Sequence, residues 1–175
     1  ERPDCLLVYG DTNSTIAGAL AAAKLHIKVA HVEAGLRSFD RRMPEEINRV
    51  LTDHISNWLF CPTQTAVDNL VAEGIIGGKQ VGVYQVGDVM YDALRHSRQL
   101  SRQKASLLKQ WELAPKGYYL ATVHRAANTD DAIRLKDILA AFGQLDAPVV
   151  LPLHPRTRKA MQVAALGAPP NVRLC

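Results

Sequence analysis

Four short apolar runs in this sequence each end on ionisable residues. Cys5-Leu6-Leu7-Val8-Tyr9 leads into Gly10-Asp11-Thr12, and the run from Val29 to Val32 leads through His31 into Glu33-Ala34-Gly35. Tyr118 to Val123 ends in His124-Arg125, and Val149 to Leu153 ends in His154-Pro155-Arg156. Carboxylates of this kind can move protons and stabilise developing positive charge, while His and Arg can hold an anion. Taken singly, an Asp after a strand reads as a helix cap, and a lone His as a hydrogen-bonded structural residue. Their repetition argues for a ligand site, because open α/β sheets bind ligands beyond the carboxyl ends of their strands.

Glu45 carries two readings. Pro44-Glu45-Glu46 is a favourable helix start, with Pro at the first position and carboxylates complementing the helix dipole. Glu45 and Arg49 also stand four apart, the spacing of an intrahelical ion pair. Before this helix, the loop Leu36–Arg42 holds Arg37, Arg41 and Arg42, which would suit an anionic ligand such as a phosphate or else be a solvated surface loop. The helix starts after Thr12 and after Asn128-Thr129 could offer backbone N–H groups to a phosphate. Neither GxGxxG nor a P-loop lysine is present, which removes the main support for dinucleotide-binding and NTPase readings.

The elements that must position these residues alternate strand and helix. Helical patterns run from Ser14 to Leu25, Pro44 to Ser56, Thr65 to Glu73, Val89 to Trp111, Asp130 to Gln144 and Thr157 to Ala164. In the fifth of these, Ile133, Leu135, Ile138, Leu139 and Phe142 are the apolar positions. The remaining strands are Trp58–Cys61, Val83–Val86 and Val172–Leu174. Such alternation predicts an α/β fold with parallel sheets covered on both faces. A boundary at Gly87-Asp88 divides the chain into residues 1–87 and 88–175, read as two incomplete Rossmann-like halves around a cleft. The start at Glu1-Arg2-Pro3-Asp4 reads as an internal boundary.

Bulk properties narrow the partners. With 47% hydrophobic and 22% charged residues, the 175-residue chain has the balance of a soluble globular protein. No apolar stretch is long enough for a membrane span, and no secretory signal is read. Cys5, Cys61 and Cys175 form no CxxC pair. They are expected to be buried, reduced thiols, which points to the cytoplasm. Net charge is +4, much of it from Arg95, Arg98, Arg102, Lys104 and Lys109. Without interleaved aromatics or a binding motif, this run is expected to be a solvated helix face rather than a nucleic-acid surface.

As strings, the strand ends resemble the non-hydrolysing UDP-N-acetylglucosamine 2-epimerase family. The matching segments are VYGDTNST (Val8–Thr15), HVEAGLRS (His31–Ser38), MPEEINR (Met43–Arg49), ATVHRAANTDD (Ala121–Asp131) and LPLHPRTRK (Leu151–Lys159). The resemblance implies a GT-B-like fold of two Rossmann-like domains facing a UDP-sugar cleft, a homodimer, and no cofactor or metal. It puts the catalytic groups on Asp11, Glu33, Glu45 and His124. Substrate binding falls on Arg37, His124 and Arg125. Positions matching Arg125 and His154 contact a second UDP-GlcNAc, acting as activator, in some members. One departure is Ala127, where many members have Glu. Gly87-Asp88-Val89-Met90-Tyr91-Asp92 looks more like the subgroup acting on UDP-2,3-diacetamido-glucuronic acid.

The implied reaction breaks C1–O and removes the C2 proton, leaving UDP and a 2-acetamidoglycal. Reprotonation at C2 from the opposite face and re-addition of UDP complete the inversion. Two opposite-face proton transfers need at least two carboxyl groups, and clustered carboxylates raise one another's pKa. Epimerisation of UDP-GlcNAc to UDP-ManNAc is therefore the main expectation. Its alternatives are the diacetamido-glucuronate substrate, a GT-B glycosyltransferase, or a UDP-sugar-binding module without turnover.

Overall fold

The computed structural model describes residues 3–103 and 106–175. Glu1 and Arg2 of the opening segment, and Lys104 of the basic run, lie outside the described residues. The chain forms two compact units that meet at Gln99 and Leu100.

In the first unit the elements alternate: β1 (Cys5–Tyr9), α1 (Asn13–Lys24), β2 (Lys28–Val32), α2 (Pro44–Ile55), β3 (Trp58–Cys61), α3 (Gln64–Ala72) and β4 (Gly82–Gln85), followed by α4 (Val89–Gln103). The four strands are parallel in the order β1-β2-β3-β4. In β2, Val29, Ala30 and His31 are buried in succession, the pattern of a strand covered on both faces. One core cluster joins Val8, Ala19, Ala22 and Val29; another joins Ala34, Leu59, Cys61, Ala66 and Leu70. Small residues set the spacing between helices and sheet. A Cβ on Gly35, at φ +78°, would lie 2.2 Å from the Ala66 carbonyl oxygen, so only glycine fits there.

The second unit contains α5 (Ser106–Gln110), β5 (Tyr119–Leu120), α6 (Ala126–Thr129), α7 (Ala132–Gly143), β6 (Val149–Leu151), α8 (Pro155–Val163) and β7 (Val172–Leu174). Its three strands are parallel in the order β5-β6-β7. Val123, Leu135, Leu139, Val149, Leu151, Met161 and Val172 form its core.

Several expectations shift. The helix expected from Asp130 starts at Ala132, because the Asp131 carboxylate caps it by accepting from the N–H groups of Ile133 (3.0 Å) and Arg134 (3.1 Å). Of the helix's apolar positions, Ile133 is 73% exposed, whereas Leu135 and Leu139 are buried. Of the helix expected over Val89–Trp111, the described residues carry α4 and α5, and residues 104 and 105 lie outside the described residues. Of the thiols only Cys61 is buried, and burial raises it to about 11; Cys5 and Cys175 are exposed. Burial in a reduced core therefore describes one cysteine of the three. Among the described residues, no helix is long and apolar enough to cross a membrane.

Candidate functional site

Parallel pairing of β1 with β2 matches Tyr9 to Val32, so Gly10-Asp11 and Glu33 leave neighbouring strand ends. The Gly10 amide donates to the Val32 carbonyl (3.1 Å), and the Ala34 amide to the Phe60 carbonyl (3.1 Å). Between them Glu33 adopts φ +71°, a left-handed conformation that a non-glycine residue holds only when its surroundings impose it. Its carboxyl lies beside Gly10, itself at φ +65°. Burial raises the pKa of Glu33 above the ordinary carboxylate range. Asp11 and Asp88 push it further the same way, against the opposing pull of His31 and Arg49. Tyr9 is raised as well, by burial and by Glu33 and Asp88. Asp11 and Glu33 are thus close enough to repel, as clustered carboxylates should.

Asp88 belongs to this acidic group, a role the sequence reading does not give it. Its carboxylate also caps the start of α4, accepting from the Met90 amide at 2.8 Å. The signal was present in the Gly87-Asp88 turn after β4, but there it reads as a domain boundary.

Helix α2 brings the counter-charge. Arg49 donates through Nη2 to Asp11 Oδ2 and through Nη1 to Glu46 Oε2 (3.2 Å). Asn48 donates to the Asp11 carbonyl (2.9 Å) and to Asn13 Oδ1 (3.0 Å), tying α2 to the start of α1. The expected Glu45–Arg49 pair is therefore not formed; Glu46, three residues before Arg49, takes that part. Glu46 is 2% exposed and accepts from the amides of Ser38 and Phe39, both at 2.9 Å. Its burial opposes ionisation, but the Ser38 and Phe39 donors and Arg49 hold its pKa below the ordinary value. Glu45 sits half-buried in the first turn, on the helix face that carries Arg49.

Arg37 is turned inward, with its donors engaged by protein acceptors. Its side chain is 1% exposed. Nη1 donates to the Leu36 carbonyl and to Asp53 Oδ2, both at 2.7 Å, while Nε and Nη2 grip Glu73 at 2.6 and 2.7 Å. Burial works against its charge, yet these carboxylates raise its pKa overall. In the same loop Arg42 pairs with Asp40, whose carboxyl that bond holds down to about 2. Arg41 is exposed.

In the second unit the histidines come together. The rings of His124 and His154 lie with centroids 5.6 Å apart and planes tilted by 37°, and both residues are exposed. His154 caps α8: its Nδ1 accepts from the Arg156 amide (3.1 Å), which leaves the ring proton on Nε2. Thr157 donates to the Val123 carbonyl, anchoring the backbone just before His124. Arg125 is exposed at the start of α6, where its carbonyl accepts from the Thr129 hydroxyl (3.1 Å). Asp131 already occupies the start of α7, so that end does not receive a phosphate as the sequence suggested. An open depression of about 410 Å³ nearby is lined by Thr129, Asp130, Arg156 and Lys159; neither histidine lines it.

One unit thus brings two carboxylates to adjacent strand ends, and the other brings two histidine rings together in the loops after β5 and β6. Comparison with known proteins gives the family. The family model described as UDP-N-acetylglucosamine 2-epimerase matches residues 1–175, and the chain belongs to that family. A UDP-N-acetylglucosamine 2-epimerase homolog of Methanococcus maripaludis is 58% identical over 163 residues, covering 93% of this chain and 44% of that protein. The UDP-2,3-diacetamido-2,3-dideoxy-D-glucuronate 2-epimerase of Pseudomonas aeruginosa is 54% identical over 165 residues, covering 93% and 45%. The crystal structure of Methanocaldococcus jannaschii UDP-GlcNAc 2-epimerase, in complex with UDP-GlcNAc and UDP, matches with TM-score 0.88 at 41% identity. That match covers 100% of this chain and 50% of that one. The expected α/β, GT-B-like class agrees with this likeness. The chain spans about half the length of the relatives it matches.

Proposed function

We propose that this chain carries part of the active site of a non-hydrolysing UDP-N-acetylglucosamine 2-epimerase, interconverting UDP-GlcNAc and UDP-ManNAc. One observation carries the reading beyond family membership. Asp11 and Glu33 leave adjacent strand ends, and their mutual repulsion adds to burial in keeping Glu33 protonated to higher pH than an ordinary Glu. A carboxyl with a raised pKa can deliver a proton, while an ionised neighbour accepts one.

In this mechanism UDP departs from C1 as a carboxylate takes the C2 proton, giving the 2-acetamidoglycal. A second carboxyl then protonates C2 from the opposite face and UDP adds back, so no net proton or electron is consumed. Asp11, Glu33 and Glu45 are the proposed acid–base set. His124 donates to the diphosphate, Arg125 assists substrate binding, and Arg125 with His154 forms the activator site. Arg37 supports the site from within the fold, since its donors are engaged by Asp53, Glu73 and Leu36. The reading includes a homodimer and needs no cofactor; light scattering on the full-length protein tests the dimer.

Incubating the full-length protein with UDP-GlcNAc in D₂O and following C2 by proton NMR tests the function. Loss of the C2 proton signal with growth of the manno epimer is expected. A folded protein that leaves C2–H intact overturns the substrate assignment. A second reading, UDP-2,3-diacetamido-glucuronate as substrate, draws on the 54% identity to the Pseudomonas aeruginosa enzyme. The same assay with that nucleotide sugar decides between them.

A further inference from the structure

Beneath the acidic group lies a buried side chain that touches one of the turns carrying it and reaches the other through a single imidazole. Asp53, near the end of α2, is 1% exposed. Its Oδ1 lies 2.7 Å from His31 Nδ1, and its Oδ2 accepts from the Gly35 amide (3.0 Å) and from Arg37 Nη1 (2.7 Å). His31 and Gly35 stand two residues before and two after Glu33, so Asp53 grips the left-handed turn of Glu33 from both sides. The other His31 nitrogen, Nε2, donates to the Gly10 carbonyl at 2.8 Å. Gly10 immediately precedes Asp11. A single carboxylate therefore connects the turn bearing Glu33 directly, and the turn bearing Asp11 through one imidazole.

The chemistry of the contacts fixes their sense. A carbonyl oxygen only accepts, so His31 donates to Gly10 through Nε2, while its Nδ1 faces Asp53 Oδ1. The contacts run in a row, His31 to Asp53 to Arg37 to Glu73, with the first three side chains buried and Glu73 at the more exposed end. Every member has its partners, which is the condition under which a buried polar network rigidifies what it touches. Strained backbone such as Glu33 at φ +71° persists where neighbours over-determine it.

We infer that Asp53 is a positioning residue for the reaction: through Gly35 and His31 it sets the separation of the Glu33 and Asp11 carboxyls without itself touching substrate. This rests on the epimerase reading above. The test uses the full-length protein and compares Asp53→Asn with Asp53→Ala. Asn can still accept from the Gly35 amide and donate to an unprotonated His31 Nδ1, keeping both anchors; Ala keeps neither. Expected in the D₂O assay is a kcat within about tenfold of wild type for Asn, and a loss of about 10²–10³-fold for Ala at unchanged KM. Circular dichroism well below the melting temperature counts the folded fraction. If Asp53→Ala does not fold, His31→Leu cuts the tie from Asp53 to Gly10 while leaving Asp53 its contacts to Gly35 and Arg37, and carries the same expectation of a kcat loss at unchanged KM. Wild-type kcat per folded molecule in Asp53→Ala, or in His31→Leu where that variant stands in, overturns the inference. So does a loss that Asn fails to relieve. Wild-type protein run alongside separates the two levels: if it exchanges no C2 proton with either nucleotide sugar, the epimerase reading itself falls and takes this role with it.

Discussion

The Oε2 atom of Glu33 lies 3.2 Å from the point where a side chain on Gly10 would begin. Gly10 also holds φ +65°, a conformation costing an L-residue roughly 1–2 kcal/mol. Gly10→Ala in the full-length protein is therefore expected to lower stability by about that amount in urea titration and to push the Glu33 carboxyl aside. Epimerisation should fall by more than the folded fraction does, because the added methyl meets the proposed acid–base group Glu33 rather than the core. Activity that tracks the folded fraction alone would show that the contact is incidental.

Glu33 makes stability depend on pH in a definite sense. Burial, Asp11 and Asp88 raise its pKa in the folded state. The native protein thus holds this proton more tightly than the unfolded chain does. The corresponding stabilisation is fully present below the ordinary carboxylate pKa and is lost as pH rises through the raised value. Glu33→Gln stays neutral throughout. Its melting temperature is expected to match wild type near pH 4 and to exceed it near pH 8, with both values roughly bracketing the carboxylate range. A Gln variant less stable than wild type at high pH would contradict the crowding of carboxylates at this turn.

Arg49 joins two carboxylates on different elements, Asp11 after β1 and Glu46 in α2. Arg49→Ala leaves the nearly buried Glu46 without its cation and Asp11 without its partner. A loss of about 1–3 kcal/mol in urea titration is expected. Arg49→Lys should recover only part of it, since one ammonium cannot present the planar fork that reaches both carboxylates. Full recovery by Lys would mean that charge alone matters there.

The strand ends were legible because each apolar run is short, strongly patterned and closed by polar residues at a turn. Asp11, Glu33 and the pair His124 and His154 emerge directly from that reading. What escaped it depends on partners remote in sequence. Asp53 reads as one more polar residue on an amphipathic helix; only the packing of α2 under β2 brings it to His31, Gly35 and Arg37. Arg37 reads as an anion-binding residue because Glu73, at the far end of α3, is 36 residues away. Glu45 and Glu46 are indistinguishable as helix-start carboxylates until the loop at Ser38 and Phe39 folds onto one of them. Local pattern locates turns and elements. Which charges those turns bury is decided by the tertiary fold.

Those two adjacent glutamates give the sharpest separation of structure from chemistry. Glu46 holds the loop amides of Ser38 and Phe39 and pairs with Arg49, while Glu45 is half-buried in the same turn and, among the described residues, its carboxylate has no hydrogen-bond partner. Glu46→Ala frees two amides and one guanidinium nitrogen, so a stability loss of about 1–3 kcal/mol is expected by chemical denaturation. Its activity should fall largely through unfolding and loop disorder. Glu45→Gln removes a charge that no structural contact uses, and its stability should stay within about 0.5 kcal/mol of wild type. Its C2 proton exchange in D₂O should nonetheless drop by about 10²–10⁴-fold, the range for loss of a positioned acid–base group. Equal activity in Glu45→Gln and wild type would remove Glu45 from the acid–base set and leave Asp11 and Glu33 to serve the two faces of C2.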